Sequence, residues 1–372
     1  MLSRETFLEI DLSAYQHNIR FFTKKLFPTK VMAVVKSNAY GHGAVEISQA
    51  AIEAGVDMLA VAFLEEAIEL RSEGINVPIL IFNYFNPRYA SEALKNNLTI
   101  TIYSKQQLNE IIRYVPHGLK VHLNLDTGMR RLGPSVEEAY ELAENILKAG
   151  YELEGVYTHF AVADETEERF TIAQITKYRH FIEKLKKAGV NIKMLHVANS
   201  AGSLRFNYPV FNYARIGVAS YGLQPSEEFL IDDLIPVLSW KSAISYVKKI
   251  KKGDSISYGR TFIAPRDMIV ATVPVGYGDG YSRGLSNKGE VLISGKRCKI
   301  VGRVCMDQFV VDVSNLKQKP KMGDEVVLIG KQGEDHITTE EIARLLDTIN
   351  YEITCAITSR VPRIYLRREN SP

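Results

Sequence analysis

Cysteine is scarce in this 372-residue chain. Cys298, Cys305 and Cys355 show no Cys-x-x-Cys spacing, and an odd count makes no disulfide framework. A reducing cytoplasm fits that usage. A surplus of charge is lacking too: the formal net charge is +3, which gives no electrostatic reason to expect a nucleic-acid partner. The one dense basic run, Lys248-Lys-Ile-Lys-Lys252, precedes Gly253-Asp254 and reads as a solvated turn between strands. Long apolar runs are missing, since nothing approaches the roughly 20 residues of a membrane span. The opening Met1-Leu-Ser-Arg-Glu-Thr-Phe-Leu-Glu-Ile carries acidic residues where a signal peptide needs an apolar stretch. A soluble, unexported, cytoplasmic protein without a membrane partner is expected. No Gly-x-Gly-x-x-Gly follows the first strand candidate, and Gly276-Tyr-Gly-Asp-Gly280 has the wrong spacing, so a dinucleotide-binding sheet loses its main support. Eight histidines form no ligand-spaced pair, which argues against a zinc enzyme. No internal repeat or low-complexity linker interrupts the chain.

What is present is enough apolar residue, 46%, for one large and one smaller core. From about residue 30 to 215, short apolar runs alternate with amphipathic ones. Eight read as strands: Lys30–Lys36, Met58–Phe63, Pro78–Phe82, Leu98–Tyr103, Lys120–Leu125, Leu153–His159, Ile192–His196 and Phe211–Arg215. Leu64–Ser72, Ser135–Ala149 and Phe170–Ala188 mix charge with periodic Leu, Ile and Ala and read as helices. Eight β–α units predict an α/β fold with an N-terminal (β/α)8 TIM-type barrel over residues 11–230. After about residue 230, Asp267–Val275, Glu290–Ile293, Lys299–Val304, Phe309–Val313 and Glu325–Ile329 are β-branched runs divided by glycine turns. They predict a C-terminal mainly-β domain, 231–372, largely antiparallel. Phe7–Asp11 is strand-like and is assigned with residues 1–10 to that domain, and Thr338-Thr-Glu-Glu341 carries a capping box for a helix through about Thr348.

The most informative segment is Val31-Met-Ala-Val-Val-Lys-Ser-Asn-Ala-Tyr-Gly-His-Gly43, a buried strand that ends on one lysine and turns sharply. A lysine that is costly to keep charged offers its amine for a Schiff base with an aldehyde cofactor or carbonyl substrate. On this segment alone, a lysine snorkelling from a barrel rim is an equal reading. A barrel collects its catalytic groups at the carboxyl ends of its strands. Lys36, Arg131, His159, Ser200 and Arg215 are the polar residues that end these runs. Singly, Arg131 can be a helix-start ion pair, His159 a satisfied core histidine and Ser200 a helix cap. Five together make chance a poorer account.

Across nearly its whole length the chain resembles the alanine racemase family. The carriers are Ala33-Val-Val-Lys-Ser-Asn-Ala-Tyr-Gly-His-Gly43, Asp126-Thr-Gly-Met-Arg-Arg-Leu-Gly133, Thr158-His-Phe-Ala161, His196-Val-Ala-Asn-Ser200, Arg215-Ile-Gly-Val218, Ser257-Tyr-Gly-Arg260, Pro274-Val-Gly-Tyr-Gly-Asp-Gly-Tyr281, Gly302-Arg-Val-Cys-Met-Asp307 and Arg360-Val-Pro-Arg363. The resemblance implies a barrel plus a β domain, pyridoxal 5′-phosphate (PLP) bound covalently to Lys36, and interconversion of L- and D-alanine. It further implies phosphate ligands at Tyr40, Ser200, Tyr351 and the amides of Gly217 and Val218, with Arg215 facing the pyridine nitrogen. Racemisation takes a proton from one face of a planar carbon and returns one to the other. The resemblance assigns these faces to Lys36 and Tyr258. A free tyrosine near pKa 10 needs neighbours that favour phenolate, and His159 with Arg215 behind it can supply that bias. Without the motif, Tyr258 would read as a strand tyrosine at a turn. Arg131 and the Met306 amide are implied to hold the substrate carboxylate or the cofactor's phenolic oxygen, while Tyr277 and Tyr351 narrow the entrance. Asn124, His196 and Asp307 are supporting residues, and Asp164, Arg283 and Arg303 match an outer corridor where solvated surface charge is the ordinary explanation. A head-to-tail homodimer with active sites shared between subunits is also implied.

Asn124 stands where many members carry a lysine that is carbamylated in use. A neutral amide cannot fix Arg131 by charge, so a small anion such as chloride is expected between them. Arg130 replaces a common glycine or small residue, with no consequence legible in the sequence. The rival readings are a serine or broad-specificity racemase, a PLP-dependent decarboxylase of the same architecture, and a noncatalytic PLP-binding protein. The decarboxylase normally needs a cysteine or carboxylate opposite the lysine, and the binding proteins lack a β domain.

Overall fold

Eight apolar runs close on one another because a parallel strand buried on both faces satisfies its backbone only between two neighbours. The computed structural model describes residues 4–206, 208 and 210–367. It divides into two units, one of Tyr15–Ala39 with Ala44–Ile235, the other of the described parts of Met1–Ala14, Tyr40–Gly43 and Pro236–Pro372. β1 (Phe7–Asp11) belongs to the second unit. In the first, β2 (Lys30–Val34), β3 (Leu59–Val61), β4 (Ile79–Ile81), β5 (Thr99–Ile102), β6 (Lys120–Asn124), β7 (Glu152–Tyr157), β8 (Met194–His196) and β9 (Tyr213–Ile216) form a closed parallel barrel in chain order. All eight expected strands are found, most of them shortened at one or both ends. The helices lie where the 3.6-residue period places them, at Leu64–Ser72, Val136–Lys148 and Arg169–Lys187. Ser135 caps the second, its hydroxyl accepting from Glu138 N while the Glu138 carboxylate accepts from Ser135 N.

β6 and β7 step out of register: Val121 pairs with Leu153, but His122 pairs with Gly155. Glu154 is therefore the extra residue of a bulge. Bulges re-aim side chains, and this one has consequences within the barrel.

In the second unit β10 (Leu238–Ala243), β11 (Tyr246–Ile250), β12 (Ser255–Ile256), β13 (Phe262–Ile263), β14 (Met268–Val273), β15 (Glu290–Ile293), β16 (Lys296–Lys299), β17 (Phe309–Asp312), β18 (Glu325–Gln332), β19 (Asp335–Ile337) and β20 (Arg363–Leu366) build three sheets. The largest runs β16-β15-β18-β10-β1-β20, with β19 on β18, and only the β1–β20 pair is parallel. β1 thus pairs within the β-rich unit, as its strand-like pattern anticipated. Trp240, Tyr281 and Phe309 form its aromatic centre, the last two stacked at 5.0 Å.

The expected strand Lys299–Val304 lies earlier, at Lys296–Lys299, because Gly302 takes φ +83° and breaks the extended backbone, leaving Ile300 with a single bridge to Val311. The basic run is only partly a turn: Lys248 and Lys249 belong to β11, an edge strand of its sheet on which both are exposed, and the turn begins at Lys251. The helix after Thr338 ends at Leu346 because Asp347 turns left-handed. Thr338 does cap it, accepting from Glu341 N at 3.1 Å.

Candidate functional site

The residues singled out from sequence fall into two groups, one in each unit. In the barrel unit, β2 ends at Val34 and Lys36 lies two residues beyond it. The backbone then turns left-handed through four residues that are not glycine: Ser37, Asn38, Ala39 and Tyr40 have φ between 51° and 55°. Each costs on the order of 1–2 kcal/mol in that region, so the turn persists only because its surroundings hold it. Glu66, on the helix Leu64–Ser72, provides part of that hold. One carboxylate oxygen accepts from Ser37 N at 2.6 Å, the other from Ala62 N and Phe63 N. Asn38 accepts from Ala44 N at 2.8 Å. Neither residue was found by sequence reasoning, although Glu66 sits at the N3 position where a carboxylate commonly turns back on the chain. Gly41 continues the turn at φ +85°, and a Cβ there would lie 2.2 Å from Thr354 O.

Arg215 is not at a strand end but inside β9, pointing into the barrel and 4% exposed. Its Nη1 donates to His196 Nδ1 at 3.0 Å and to His196 O at 2.9 Å. Its Nη2 donates to Thr158 O at 2.8 Å, Val197 O at 3.0 Å and His159 Nδ1 at 3.1 Å. The Nε–H has no hydrogen bond among the described residues. Burial pulls the guanidinium down to about 10, still charged at neutral pH. An arginine can only donate. His159 and His196 must therefore each present a bare Nδ1 to it and carry their proton on Nε2. Burial first, then the cations Arg215, Arg131 and Lys36, hold His159 well below the ordinary histidine range. His196 is lowered as strongly, by burial, His122 and Arg215. Tyr157 stacks on His196 at 4.9 Å, and burial pushes its phenol up to about 12.

Ser200 is not the cap of its helix. Asn199 is, accepting from Gly202 N, and the Ser200 hydroxyl instead accepts from Gly217 N at 3.0 Å and Ala219 N at 3.4 Å. Val218 opens a 3-10 turn, so its N–H precedes the first bond of that turn. A hydroxyl and loop amides gathered in this way suit a phosphate. Together with the uncommitted Arg215 Nε–H, ready to donate to a ring nitrogen, and the Lys36 amine, they fit a pyridoxal phosphate in chemistry.

Arg131 is on the loop after β6, exposed, and held by neighbours: Asp126 accepts from Gly128 N at 2.8 Å and Arg130 N at 3.1 Å. Asn124 is buried, and its Nδ2 makes one long contact, 3.4 Å, to Leu132 O, which leaves its other amide hydrogen to an incoming acceptor. Arg130 lies at φ +58°, which explains why glycine suits that position. Arg130→Gly is expected to preserve or raise stability, by up to about 1 kcal/mol, while a β-branched Arg130→Val loses about as much. Thermal denaturation of the pair checks this; a clear loss for glycine would show that the 3.7 Å approach of Arg130 to Asp126 outweighs the backbone cost. Asp164 is exposed and contributes its carbonyl to Ser226 Oγ at 2.5 Å.

In the β-rich unit, Tyr258 opens a short 3-10 turn and is 71% exposed. It lines an open depression of about 390 Å³ with Ser257, Cys305, Met306, Asp307 and Gln308. Ser257, at φ +64°, sets the turn by donating to Arg303 O at 2.7 Å. Asp307 pairs with Arg360 at 2.7 Å. Tyr277 follows Gly276, where a Cβ would meet Cys305 O at 2.2 Å, and its own N–H donates to Cys305 O at 3.1 Å. Tyr277 and Met306 are thus held by one backbone contact, completed by Gly278 N to Met306 O at 2.9 Å. The rings of Tyr40 and Tyr351 lie 6.0 Å apart. Arg283 is exposed on a 3-10 turn. Sequence reasoning missed Asp279, fully buried, which accepts from Gly276 N and takes both Arg4 Nη atoms at 3.0 and 2.8 Å.

Cys298, Cys305 and Cys355 form no disulfide among the described residues, where no helix is long and apolar enough to cross a membrane. The family description "Alanine racemase, N-terminal domain" matches residues 10–225 and "Alanine racemase, C-terminal domain" matches 237–365. Alanine racemase 1 of Bacillus subtilis is 44% identical over 370 residues, covering 98% of this chain and 93% of the relative. Alanine racemase of Methanococcus maripaludis is 41% identical over 378 residues, covering 98% and 100%. A crystal structure of alanine racemase from Bacillus anthracis with bound L-Ala-P superposes with a TM-score of 0.93 at 42% identity, covering 98% of this chain and 95% of that one. The alanine racemase of Clostridium difficile in complex with cycloserine gives 0.89 at 37%, covering 99% and 97%.

Proposed function

Because the chain belongs to the alanine racemase family, we propose that it interconverts L- and D-alanine with PLP. On this reading it works in the cytoplasm and supplies D-alanine for the cell wall. The observation that carries it is Arg215, a buried cation braced by five acceptors with its Nε–H unspent. When bound, the cofactor withdraws electrons from the substrate α-carbon and makes its proton removable. Lys36 would hold the cofactor aldehyde, Ser200, Gly217 and Val218 its phosphate, and Arg215 its ring nitrogen. Tyr40 and Tyr351 of the β-rich unit match the family's other phosphate ligands. A permanent donor opposite that nitrogen disfavours its protonation and so restrains side reactions such as transamination.

Lys36 Nζ moves the α-proton on one face and Tyr258 Oη on the other. His159, neutral with its proton on Nε2, presents a donor that favours the phenolate of Tyr258. The Met306 amide and Arg131 hold the carboxylate or phenolic oxygen, and Tyr277 leaves room for little more than a methyl. A head-to-tail homodimer sharing its sites is part of the reading.

The test is incubation with PLP and L-alanine in D2O, following α-proton exchange by NMR and chirality by circular dichroism, with L-serine and L-lysine in parallel. Exchange with matching loss of chirality for alanine alone supports the racemase. Equal turnover of serine supports the broad-specificity alternative, and no exchange despite bound cofactor sinks both. The anion assigned to Asn124 and Arg131 has its own check: activity is expected to fall in rigorously halide-free buffer and return with chloride.

A further inference from the structure

The bonds of Arg215 do not stop at the first histidine. His196 Nε2 lies 2.8 Å from His122 Nδ1, and both rings are fully buried. Beyond, His122 Nε2 lies 3.5 Å from Glu154 Oε2, whose side chain is 16% exposed. Thr99 Oγ1 also reaches that oxygen, at 3.3 Å. The direction of the whole series is forced. Arg215 donates to His196 Nδ1, so neutral His196 carries its proton on Nε2 and donates to His122 Nδ1. Neutral His122 must then carry its proton on Nε2, facing the carboxylate. At 3.5 Å this last contact is longer than a normal hydrogen bond, and His122 Nε2 has no other partner among the described residues. A buried N–H of that kind is costly unless a charge faces it.

Two features of the backbone look built for this contact. The bulge between β6 and β7 makes Glu154 the unpaired residue and turns its side chain toward His122. Gly155 beside it leaves the space that the ring occupies, since a Cβ there would lie 2.6 Å from His122 Cε1. Burial lowers the basicity of both histidines, and the partners of Glu154, His122 first, keep it ionised.

We propose that Glu154 is a positioning residue for the reaction: from the amino-terminal end of the barrel it terminates the one-way series Arg215, His196, His122, and thereby fixes the orientation of the Arg215 guanidinium. The inference rests on the proposed function for what Arg215 does, but not for the series itself. Glu154 touches neither substrate nor cofactor. Its carboxylate faces the Nε2–H that Arg215, through His196, imposes on His122. Without an acceptor at position 154 the His122 Nε2–H is left unpaired in the barrel, while moving that proton to Nδ1 would set it against the Nε2–H of His196, so either arrangement carries a penalty. Either the His122 ring moves to find its Nε2–H a partner or two donors meet at His196 Nε2, and both loosen the series next to the arginine.

The experiment is long-range proton–nitrogen NMR on the PLP-loaded protein labelled with 15N-histidine, without substrate. Wild type is expected to show neutral His122 and His196, both protonated on Nε2. Either ring protonated on Nδ1, or cationic, overturns the proposal without any variant. Glu154→Leu is expected to weaken or erase the hydrogen-bonded His196 Nε2–H signal and to lower kcat by about 10–100-fold with KM little changed, the scale on which outer-shell partners act. Glu154→Gln keeps an acceptor oxygen, so it should retain both tautomers and most of the activity. It tests the series even if the leucine variant does not fold. A wild-type His196 Nε2–H signal with wild-type kcat in Glu154→Leu, or a flipped His122 in Glu154→Gln, refutes the role. Correct wild-type tautomers in a protein that does not racemise alanine would refute the activity and leave the series standing.

Discussion

Lys36→Ala is expected to lower alanine racemisation by more than about 10⁴-fold, because one side chain performs two tasks. It anchors the cofactor, and it moves the proton on one face of the substrate; proton transfer by a positioned group alone is worth 10²–10⁴-fold. The left-handed turn begins directly after it and is held by Glu66 and Asn38, so truncating the lysine leaves the backbone braced. Stability should change little, which separates lost chemistry from lost fold. The measurement is kcat alongside the visible absorbance of bound cofactor. Residual activity within about tenfold of wild type, with a normal spectrum, would remove Lys36 from both tasks.

Tyr258→Phe is the second large effect, with racemisation down by about 10²–10⁴-fold. The phenol is exposed at a turn of the β-rich unit and makes no packing contribution that its hydroxyl would support. Folding and cofactor binding should therefore match wild type. In D2O the variant should still exchange the α-proton of the one enantiomer that presents it to Lys36, with chirality retained, because one working base can only return a proton where it took it. Exchange with full racemisation would show that another group serves that face. The shared-site homodimer makes a linked expectation: mixing inactive Lys36→Ala and Tyr258→Ala proteins should restore part of the activity through hybrid dimers. If the subunits demonstrably exchange and no activity returns, the sites are not shared.

The barrel was legible in the sequence because parallel strands buried on both faces must be apolar throughout. Runs such as Val31-Met-Ala-Val-Val35 therefore announce themselves, and charged amphipathic stretches between them can only be helices on the outside. Lys36 and Arg215 stood out as candidates because each ends a strand run where a barrel collects its polar groups, whereas Tyr258 was reached only through the family resemblance. β16 was misplaced because Lys296, Arg297 and Lys299 are charged and exposed on an edge strand, so no apolar alternation marks it.

What the sequence by itself determined is the order of the elements and the two kinds of architecture, both of which follow from local periodicity. Only the tertiary structure decided the rest. Ser37, Asn38 and Ala39 oppose a left-handed backbone by their own preference, and the turn exists because Glu66 and Ala44, 29 and 6 residues on from their partners, hold it. Arg215, His196, His122 and Glu154 lie in four separate strands, and nothing in the sequence joins them into one series. Barrel closure and one residue of bulge bring them into a single directed series, because a buried arginine can donate but never accept, and its neighbours must arrange their protons accordingly.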